Sequence, residues 1–385
     1  MIEWTGTARR LAEELTRSGE LRSPHWRDAI CAVPRHELVP HFYSQNEDAT
    51  WLRVDSDTTG PDRWLDTVYS DTTLITALAD APHDWGTGQV AVSSSTMPGL
   101  MISMLEALHV RDGDRVLEIG TGTGYNAALL SHRVGSGNVF SIDMDPELVE
   151  LARQRLAALG YTPTLITRDG DQGLAEHAPF DRIISTCAVP AIPRAWIEQT
   201  PQHGLILTDF KPSGLGGNLV LLERSGDTAT GRFLPSWAGF MTMRHAHTPP
   251  KPHQPRRVHT HARTRHTTAP PQPWMHPVPW FLAQFGMPDG LTFGQRINDT
   301  TGEPDTTYLS ATDGSWCEIS TEQDSVTRDV TESGPVSLWD VFEHAYEHWQ
   351  AAGEPDWERL GLTVTPNAHT VWLDEPDSTT TWRLA

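Results

Sequence analysis

The stretch Glu118-Ile119-Gly120-Thr121-Gly122-Thr123-Gly124 decides the fold of this chain. It follows the apolar run Arg115-Val116-Leu117, which predicts a buried strand, and it precedes residues 125–130, which predict a helix. Glycine lets the backbone turn tightly and lets a ligand approach without hindrance from a Cβ atom. The free N–H groups of a helix N-terminus can bind polar ligand atoms. A strand, a glycine turn and a helix in this order therefore predict a cradle for a nucleotide-like ligand.

Further strands are predicted downstream of this turn, and acidic residues follow two of them. Residues 139–142 predict a strand that Asp143 ends, and residues 164–167 predict another before Asp169-Gly170. Residues 180–186 predict a fourth. Strands that alternate with helices indicate an α/β fold with a doubly wound, Rossmann-like parallel sheet and a ligand beyond the carboxyl ends of its strands. Asp143 is then placed to accept hydrogen bonds from ribose hydroxyls, and Asp169 to face an adenine amino group.

Motifs on both sides of the glycine turn resemble the protein-L-isoaspartate O-methyltransferase family of class I S-adenosylmethionine (SAM) methyltransferases. Residues 32–40, AVPRHELVP, are similar to the family's VPRxxFVP segment, and residues 94–98, SSTMP, to its TISxP loop. Asp169-Gly170 and residues 179–184, PFDRII, are similar to its DG and PFDxII elements. The resemblance extends from about Ile30 to Phe240 and implies an enzyme with SAM as its cofactor.

The resemblance also implies a set of site residues and no metal. The implied cofactor-binding residues are Glu118, Gly120, Thr121, Gly122, Gly124, Asp143, Met144, Asp169, Gly170 and Thr186. Thr96 is the first candidate to hydrogen-bond the substrate carboxylate, and Ser95 and Ser94 are the next. A carboxylate nucleophile is already ionised at pH 7, so such an enzyme has to align oxygen, methyl and sulfur rather than supply a strong base.

Three departures from the family pattern bear on the expected substrate. Thr96 stands where the family carries a serine, a Trp-rich stretch fills residues 51–85, and a long region follows residue 240. The whole most resembles the enzymes that methylate aspartate in lanthipeptide and ATP-grasp (graspetide) peptide maturation. That implies a pre-modified ribosomal precursor peptide as partner and a succinimide (aspartimide) or isoaspartate as product. General protein-L-isoaspartate (D-aspartate) repair is the alternative.

Two other classes of function remain open at this stage. Gly122-x-Gly124-x-x-Ala127 also satisfies the loose dinucleotide fingerprint, with Asp143 at a suitable distance to hold a ribose, so a nicotinamide-dependent oxidoreductase is an alternative. Glu118, Gly120 and the segment 96–98 disfavour it. A non-catalytic peptide-binding module that retains the fold is the other alternative, and the intact cofactor motif disfavours that.

Composition divides the chain into four predicted parts. Residues 1–88 form an N-terminal helical and Trp-rich segment, and residues 89–240 the SAM-dependent methyltransferase domain. Residues 241–273 are rich in His, Pro and Arg and predict a linker. Residues 274–385 predict a smaller α+β C-terminal domain that recognises the substrate, with an amphipathic helix at 338–349.

Charge and cysteine usage exclude several kinds of partner. The formal net charge of −21 argues against nucleic-acid binding and against binding to anionic membranes. No apolar run approaches membrane-spanning length and no secretory signal is visible, so we expect a cytoplasmic protein, as the three widely spaced cysteines also suggest. The pairs His245-x-His247 and His259-x-His261 lack partner carboxylates or thiols, so no metal site is predicted there. The sequence does not indicate an oligomeric state.

Overall fold

The N-terminal part combines short helices with a small antiparallel sheet. The structure, a computed structural model, describes residues 3–80, 88–235, 237–245, 262–298, 300–321 and 327–384. Its first elements are α1 (Thr5–Ser18), α2 (Pro24–Ala32), α3 (Arg35–Leu38), β1 (His41–Gln45), β2 (Trp51–Asp55), α4 (Ser56–Thr59), α5 (Pro61–Val68), β3 (Leu74–Asp80) and β4 (Gln89–Ser95). The strands pair in the order β2-β1-β3-β4. Part of the Trp-rich stretch thus forms strands that the sequence did not predict.

The middle of the chain alternates strands and helices as predicted. It contains α6 (Pro98–Ala107), β5 (Val116–Ile119), α7 (Tyr125–Val134), β6 (Val139–Asp143), α8 (Pro146–Ala158), β7 (Thr164–Thr167), β8 (Arg182–Val189), α9 (Arg194–Gln199) and β9 (Leu205–Phe210). The strands β7-β6-β5-β8-β9 are neighbours in that order and run parallel. The predicted α/β fold with a parallel, Rossmann-like sheet is confirmed, and the carboxyl ends of β5, β6 and β8 meet at one edge.

The remainder of the chain is mainly antiparallel. It contains β10 (Asn218–Ser225), β11 (Thr228–Phe233), β12 (Arg263–Thr267), α10 (Pro277–Ala283), β13 (Thr292–Ile297), β14 (Pro304–Ser310), β15 (Trp316–Ser320), β16 (Arg328–Ser333), α11 (Leu338–Ala351), β17 (Leu360–Thr365), β18 (Ala368–Leu373) and β19 (Thr381–Leu384). Strands β12-β16-β15-β14-β13 form a separate five-stranded sheet. The predicted helix at 338–349 is confirmed as α11, which buries Leu338, Phe342 and Ala345.

The last three strands join the central sheet rather than forming a sheet of their own. The full order is β19-β18-β17-β11-β10-β9-β8-β5-β6-β7, and β17 pairs antiparallel with β11. A tight hairpin at Pro366-Asn367 joins β17 to β18, with Thr365 opposite Ala368. The division of the chain at residues 240 and 273 stays a prediction, but one hydrogen-bonded sheet extends across both positions.

The two faces of the central sheet pack into different apolar clusters. Along β5, Val116 belongs to the cluster that contains α1, α2, α7 and α8, whereas Leu117 and Ile119 belong to the cluster that contains α10, α11 and β17. Strands buried on both faces need apolar residues at successive positions, which explains the apolar runs of β5 and β6. In the described part of the chain, no helix combines the length and apolar character needed to cross a bilayer.

Candidate functional site

The glycine turn after β5 is held by the neighbouring strand β8. Gly120 has φ +99°, in the left-handed region, and a Cβ atom there would lie 2.5 Å from Oγ1 of Thr186. That hydroxyl donates to the carbonyl oxygens of Ile119 at 3.1 Å and Gly120 at 2.9 Å. Only glycine therefore fits at position 120, since both the backbone conformation and the close approach of Thr186 disfavour a side chain.

Asp143 connects the carboxyl end of β6 to the same turn. Its Oδ2 accepts a hydrogen bond from the backbone N–H of Gly122 at 3.0 Å, and its Oδ1 accepts one from that of Asp145 at 3.1 Å. The side chain of Asp145 in turn caps the N-terminus of α8. Each carboxylate oxygen has two lone pairs, so Asp143 retains acceptor capacity for a ligand.

Glu118 lies beneath the turn and organises it from inside the protein. The side chain is buried, with Oε1 accepting from Nδ2 of Asn126 at 2.7 Å and Oε2 accepting from Oγ of Ser141 at 2.5 Å. Ser141 Oγ also lies 2.7 Å from Oγ1 of Thr121. Burial raises the pKa of Glu118 to about 7; the two hydrogen bonds oppose this rise, and the nearby Asp143 adds to it.

Two adjoining cavities surround the turn. The larger, which we call the main cleft, is lined by Val92, Ser93, Ser94, Ile119, Gly120, Gly122, Ile142, Asp143, Met144, Leu148, Gly170, Thr186, Cys187, Met241, Thr242, Met243 and Arg244. The smaller, which we call the inner cavity, is lined by Ser94, Ser95, Thr96, Met101, Glu118, Gly120, Thr121, Gly122, Thr123, Tyr125, Asn126 and Thr186. Most of the predicted site residues therefore lie together around these two spaces.

Two predicted cofactor residues lie outside both linings. Gly124 is the N-cap residue of α7. The carboxylate of Asp169 already forms a hydrogen bond with His245, whose Nδ1 lies 2.8 Å from Oδ1. Asp169, Asp171 and His245 each place one possible ligand atom within 4.8 Å of the others, but the hydrogen bond between Asp169 and His245 already accounts for this cluster. Partial burial and the neighbouring Asp169 raise the pKa of Asp171. The role of Asp169 toward adenine stays a prediction.

One wall of the main cleft comes from residues that the sequence analysis assigned mostly to a linker. We call residues 240–245 the strap. The N–H of Ala188 donates to the carbonyl of Met241 at 2.9 Å, and the N–H of Met243 donates to the carbonyl of Ala188 at 2.7 Å. Gly170 permits this approach, because a Cβ atom there would lie 2.6 Å from Sδ of Met243.

A buried ion pair anchors the start of the strap. Asp209 is fully buried, and its Oδ2 accepts from Nζ of Lys211 at 3.0 Å and from the N–H of Phe240 at 3.1 Å. Lys211 Nζ also donates to the carbonyl of Phe240 at 2.7 Å. Burial raises the pKa of Asp209 to about 6, although Lys211 opposes the rise. The apolar residues that precede the His-rich run were the signal that could have revealed this wall. Of the two predicted His-x-His pairs, His247, His259 and His261 lie in residues 246–261, outside the described residues.

The loop that contains the predicted substrate contacts is held from behind by Arg35. This fully buried side chain donates from Nη1 to the carbonyl of Val68 at 2.9 Å and from Nη2 to Ser95 Oγ at 3.4 Å and the Thr96 carbonyl at 3.2 Å. The hydroxyl of Ser95 thus has a donor, whereas Thr96 is held only through its backbone. Among the described residues, the Thr96 hydroxyl has no hydrogen-bond partner and stays available to a ligand.

The lining of the main cleft offers the chemical groups that a SAM-like ligand needs. Apolar Ile142, Leu148 and Met243 line it, Asp143 offers a carboxylate, and the turn at Gly120 exposes main chain to an approaching ligand. This mixture of apolar walls and a few polar groups suits an adenosine with its ribose hydroxyls.

Comparisons with known proteins agree with this geometry. The profile of the family described as Protein-L-isoaspartate(D-aspartate) O-methyltransferase (PCMT) matches residues 62–230. A protein-L-isoaspartate O-methyltransferase from Fervidobacterium nodosum is 46% identical over 158 residues, which cover 39% of this chain and 74% of that protein. Protein-L-isoaspartate O-methyltransferase 2 from Archaeoglobus fulgidus is 36% identical over 220 residues, covering 57% of this chain and 84% of that protein.

A solved structure of a protein-L-isoaspartate O-methyltransferase shares the fold. It covers 96% of this chain and 100% of its own, with a TM-score of 0.54 and 22% identity. The predicted family, enzyme class and cofactor are therefore confirmed, and the oxidoreductase and the non-catalytic module are set aside. This chain belongs to the protein-L-isoaspartate(D-aspartate) O-methyltransferase family, whose members are SAM-dependent carboxyl O-methyltransferases.

Proposed function

We propose that this protein methylates the free carboxylate of isoaspartyl residues in proteins or peptides, the activity named for its relatives. The observation that carries the proposal is the position of the loop 94–96. Ser94 borders the main cleft, and Ser94, Ser95 and Thr96 line the inner cavity together with the glycine turn. The candidate cofactor residues and the candidate substrate residues thus line two adjoining cavities, an arrangement that suits methyl transfer between two bound molecules.

The residues of this chain have to hold and align the substrate rather than activate it. SAM, when bound, supplies a methyl group on a positively charged sulfur. The substrate carboxylate is ionised at pH 7, so alignment of its oxygen is the main task. In our proposal the Thr96 hydroxyl donates to one carboxylate oxygen, and Arg35 keeps that residue in place through the Thr96 carbonyl. Asp143 accepts from the ribose hydroxyls, and Glu118 keeps the turn in shape.

The methyl ester then reacts further without help from the enzyme. Esterification makes the carbonyl carbon more electrophilic, and the nitrogen of the following peptide unit attacks it. A C–N bond forms, the C–O bond to the methoxy group breaks, and the proton of the amide nitrogen leaves with methanol. The succinimide that results opens with water to aspartate or isoaspartate, so repeated cycles convert isoaspartate to aspartate.

The region after residue 240 no longer favours a peptide-maturation enzyme over a repair enzyme. The solved structure with the repair-type name spans 96% of this chain, so the fold of this region also exists in a protein of that name. A second candidate, methylation of an aspartate in a pre-modified ribosomal peptide, still has support from Thr96 in place of serine and from the inserted stretch that forms β2, α4 and α5. Under either candidate we propose that residues 274–384 contribute to substrate selection.

We also propose a cytoplasmic location, which the three free cysteines favour. The test of function compares two peptides of identical sequence, one with isoaspartate and one with aspartate, each incubated with SAM and followed by mass spectrometry. We expect one methyl group on the isoaspartyl peptide, then loss of methanol on standing. Methylation of the aspartyl peptide alone would favour the second candidate, and methylation of neither would contradict the proposal.

A further inference from the structure

We propose that Arg244, which lines the main cleft, recognises the substrate carboxylate. This inference rests on the proposed function and adds a residue that determines specificity. The side chain is exposed and lies on the strap, which forms one wall of the cleft. It follows residues 240–243, of which Phe240, Met241 and Met243 are apolar.

The charges around the cleft favour a cation in its lining for an anionic substrate. Among the described residues that line the main cleft, Arg244 is the only Lys, Arg or His, whereas Asp143 contributes a carboxylate. The whole chain has a formal net charge of −21. A carboxylate that approaches such a protein meets like charge and has to lose part of its water shell. A guanidinium in the lining of the cleft offsets both effects, because its planar donors can bind both oxygens of a carboxylate.

The other cations near the site are already engaged. Arg35 is fully buried and donates to main-chain carbonyls and to Ser95. Lys211 is paired with the buried Asp209 and donates to Phe240. Arg244, by contrast, forms no ion pair with any residue that the structure describes. Among those residues, nothing occupies its guanidinium before an external anion arrives.

The residues on both sides of Arg244 are held by hydrogen bonds. The N–H of Met243 donates to the carbonyl of Ala188 at 2.7 Å, and Nδ1 of the His245 ring lies 2.8 Å from Oδ1 of Asp169. These contacts limit the freedom of the Arg244 backbone before a substrate arrives, so that the cost of ordering on binding falls mainly on the side chain.

This role distinguishes substrate from product. The substrate carboxylate is negative, but its methyl ester and the corresponding amide are neutral. An arginine that binds the carboxylate should hold the substrate more tightly than either neutral form, which also helps the ester to leave. The wild-type protein should therefore prefer an isoaspartyl peptide to the isoasparaginyl peptide of identical sequence.

The test measures peptide binding in the presence of S-adenosylhomocysteine, so that no turnover is needed. By calorimetry we expect the wild-type protein to bind the isoaspartyl peptide about ten- to a hundredfold more tightly than its amide, as for a hydrogen-bonded charge pair. Arg244→Gln should reduce the preference to less than about threefold, and Arg244→Lys should retain part of it. Arg9→Gln, which removes an exposed charge from α1, is the matched control and should retain all of it.

Equal preference in the wild type and in Arg244→Gln would overturn the inference, as would no preference in the wild type. A loss of S-adenosylhomocysteine affinity in Arg244→Gln that equals the loss of peptide affinity would assign Arg244 to the cofactor instead and also overturn it. Failure of the proposed function would be seen in a different assay, as the absence of peptide methylation by the wild-type protein, and can therefore be distinguished from failure of this inference. The preference should also weaken as ionic strength rises.

Discussion

The buried carboxyl of Glu118 predicts how the stability of this protein depends on pH. Burial raises the pKa of Glu118 from an ordinary 4.5 to about 7. The folded protein therefore holds this proton more tightly than the unfolded chain. The resulting stabilisation is fully present below pH 4.5 and is lost as the pH rises toward 7. At about 1.4 kcal/mol for each pH unit of difference, the loss amounts to about 3 kcal/mol.

Glu118→Gln removes this dependence with little change of shape. The amide oxygen can accept from Asn126, as Oε1 does now, and the amide nitrogen can donate to Ser141, whose hydroxyl can rotate. The variant stays neutral at every pH. We expect its free energy of unfolding to rise relative to that of the wild type by up to about 3 kcal/mol between pH 4.5 and 8, because only the wild type loses stability in this range.

Urea unfolding of both proteins at several pH values in this range measures the difference directly. Asp209, whose pKa is raised to about 6 by burial, contributes to both proteins and cancels in the comparison. A difference between the two proteins that stays constant with pH would refute the reasoning, since it would mean that Glu118 titrates alike in the folded and unfolded states. A difference that grows in the opposite direction would mean that folding lowers the pKa of Glu118 below its ordinary value of 4.5.

Two further predictions concern the cofactor and the substrate loop. Asp143→Ala should weaken SAM binding by about 1–3 kcal/mol in calorimetry, because ribose hydroxyls and the N–H of Gly122 lose an acceptor. Glu147→Ala, which removes an exposed acid from α8, is the control. Unchanged SAM affinity in Asp143→Ala would contradict the assignment. Thr96→Ala should slow single-turnover methylation roughly ten- to a hundredfold at unchanged SAM affinity, whereas Thr96→Ser keeps the hydroxyl and much of the rate. A wild-type rate in Thr96→Ala would direct attention to Ser94.

The parallel half of the sheet could be predicted because each of its features is local. Strands β5, β6 and β8 are apolar runs, the glycine turn lies directly after β5, and Asp143 directly ends β6. Parallel strands place their carboxyl ends at one edge, so local motifs far apart in sequence meet without further information. The same reasoning predicted that Thr186, on β8, lies close to the turn. In the structure its hydroxyl donates to the carbonyl of Gly120.

The rest depends on contacts between distant segments that no local pattern encodes. The pairing of β11 with β17 joins residues near 230 to residues near 363. The sequence of either strand alone does not show whether it lies at the edge of a sheet or inside it. The strap is similar, since its backbone is held by Ala188 and by the buried Asp209. The sequence showed Arg35 only as part of the motif at residues 32–40. Its complete burial could not be predicted, because a fully buried arginine without a carboxylate partner is rare.

These long-range contacts also decide how substrate selection can be studied. Phe233 on β11 packs against Phe281 and Trp357, with ring centroids 5.2 Å and 5.5 Å apart, and β17 covers the edge of β11. Truncation after the strap would expose these rings and an unpaired strand edge, so loss of activity would report on folding as much as on recognition. Single substitutions on the strap avoid this difficulty, because Arg244 is exposed and its backbone is held independently of its side chain. The substrate side of this enzyme is therefore better examined at Arg244 and Thr96 than by removing residues 274–384.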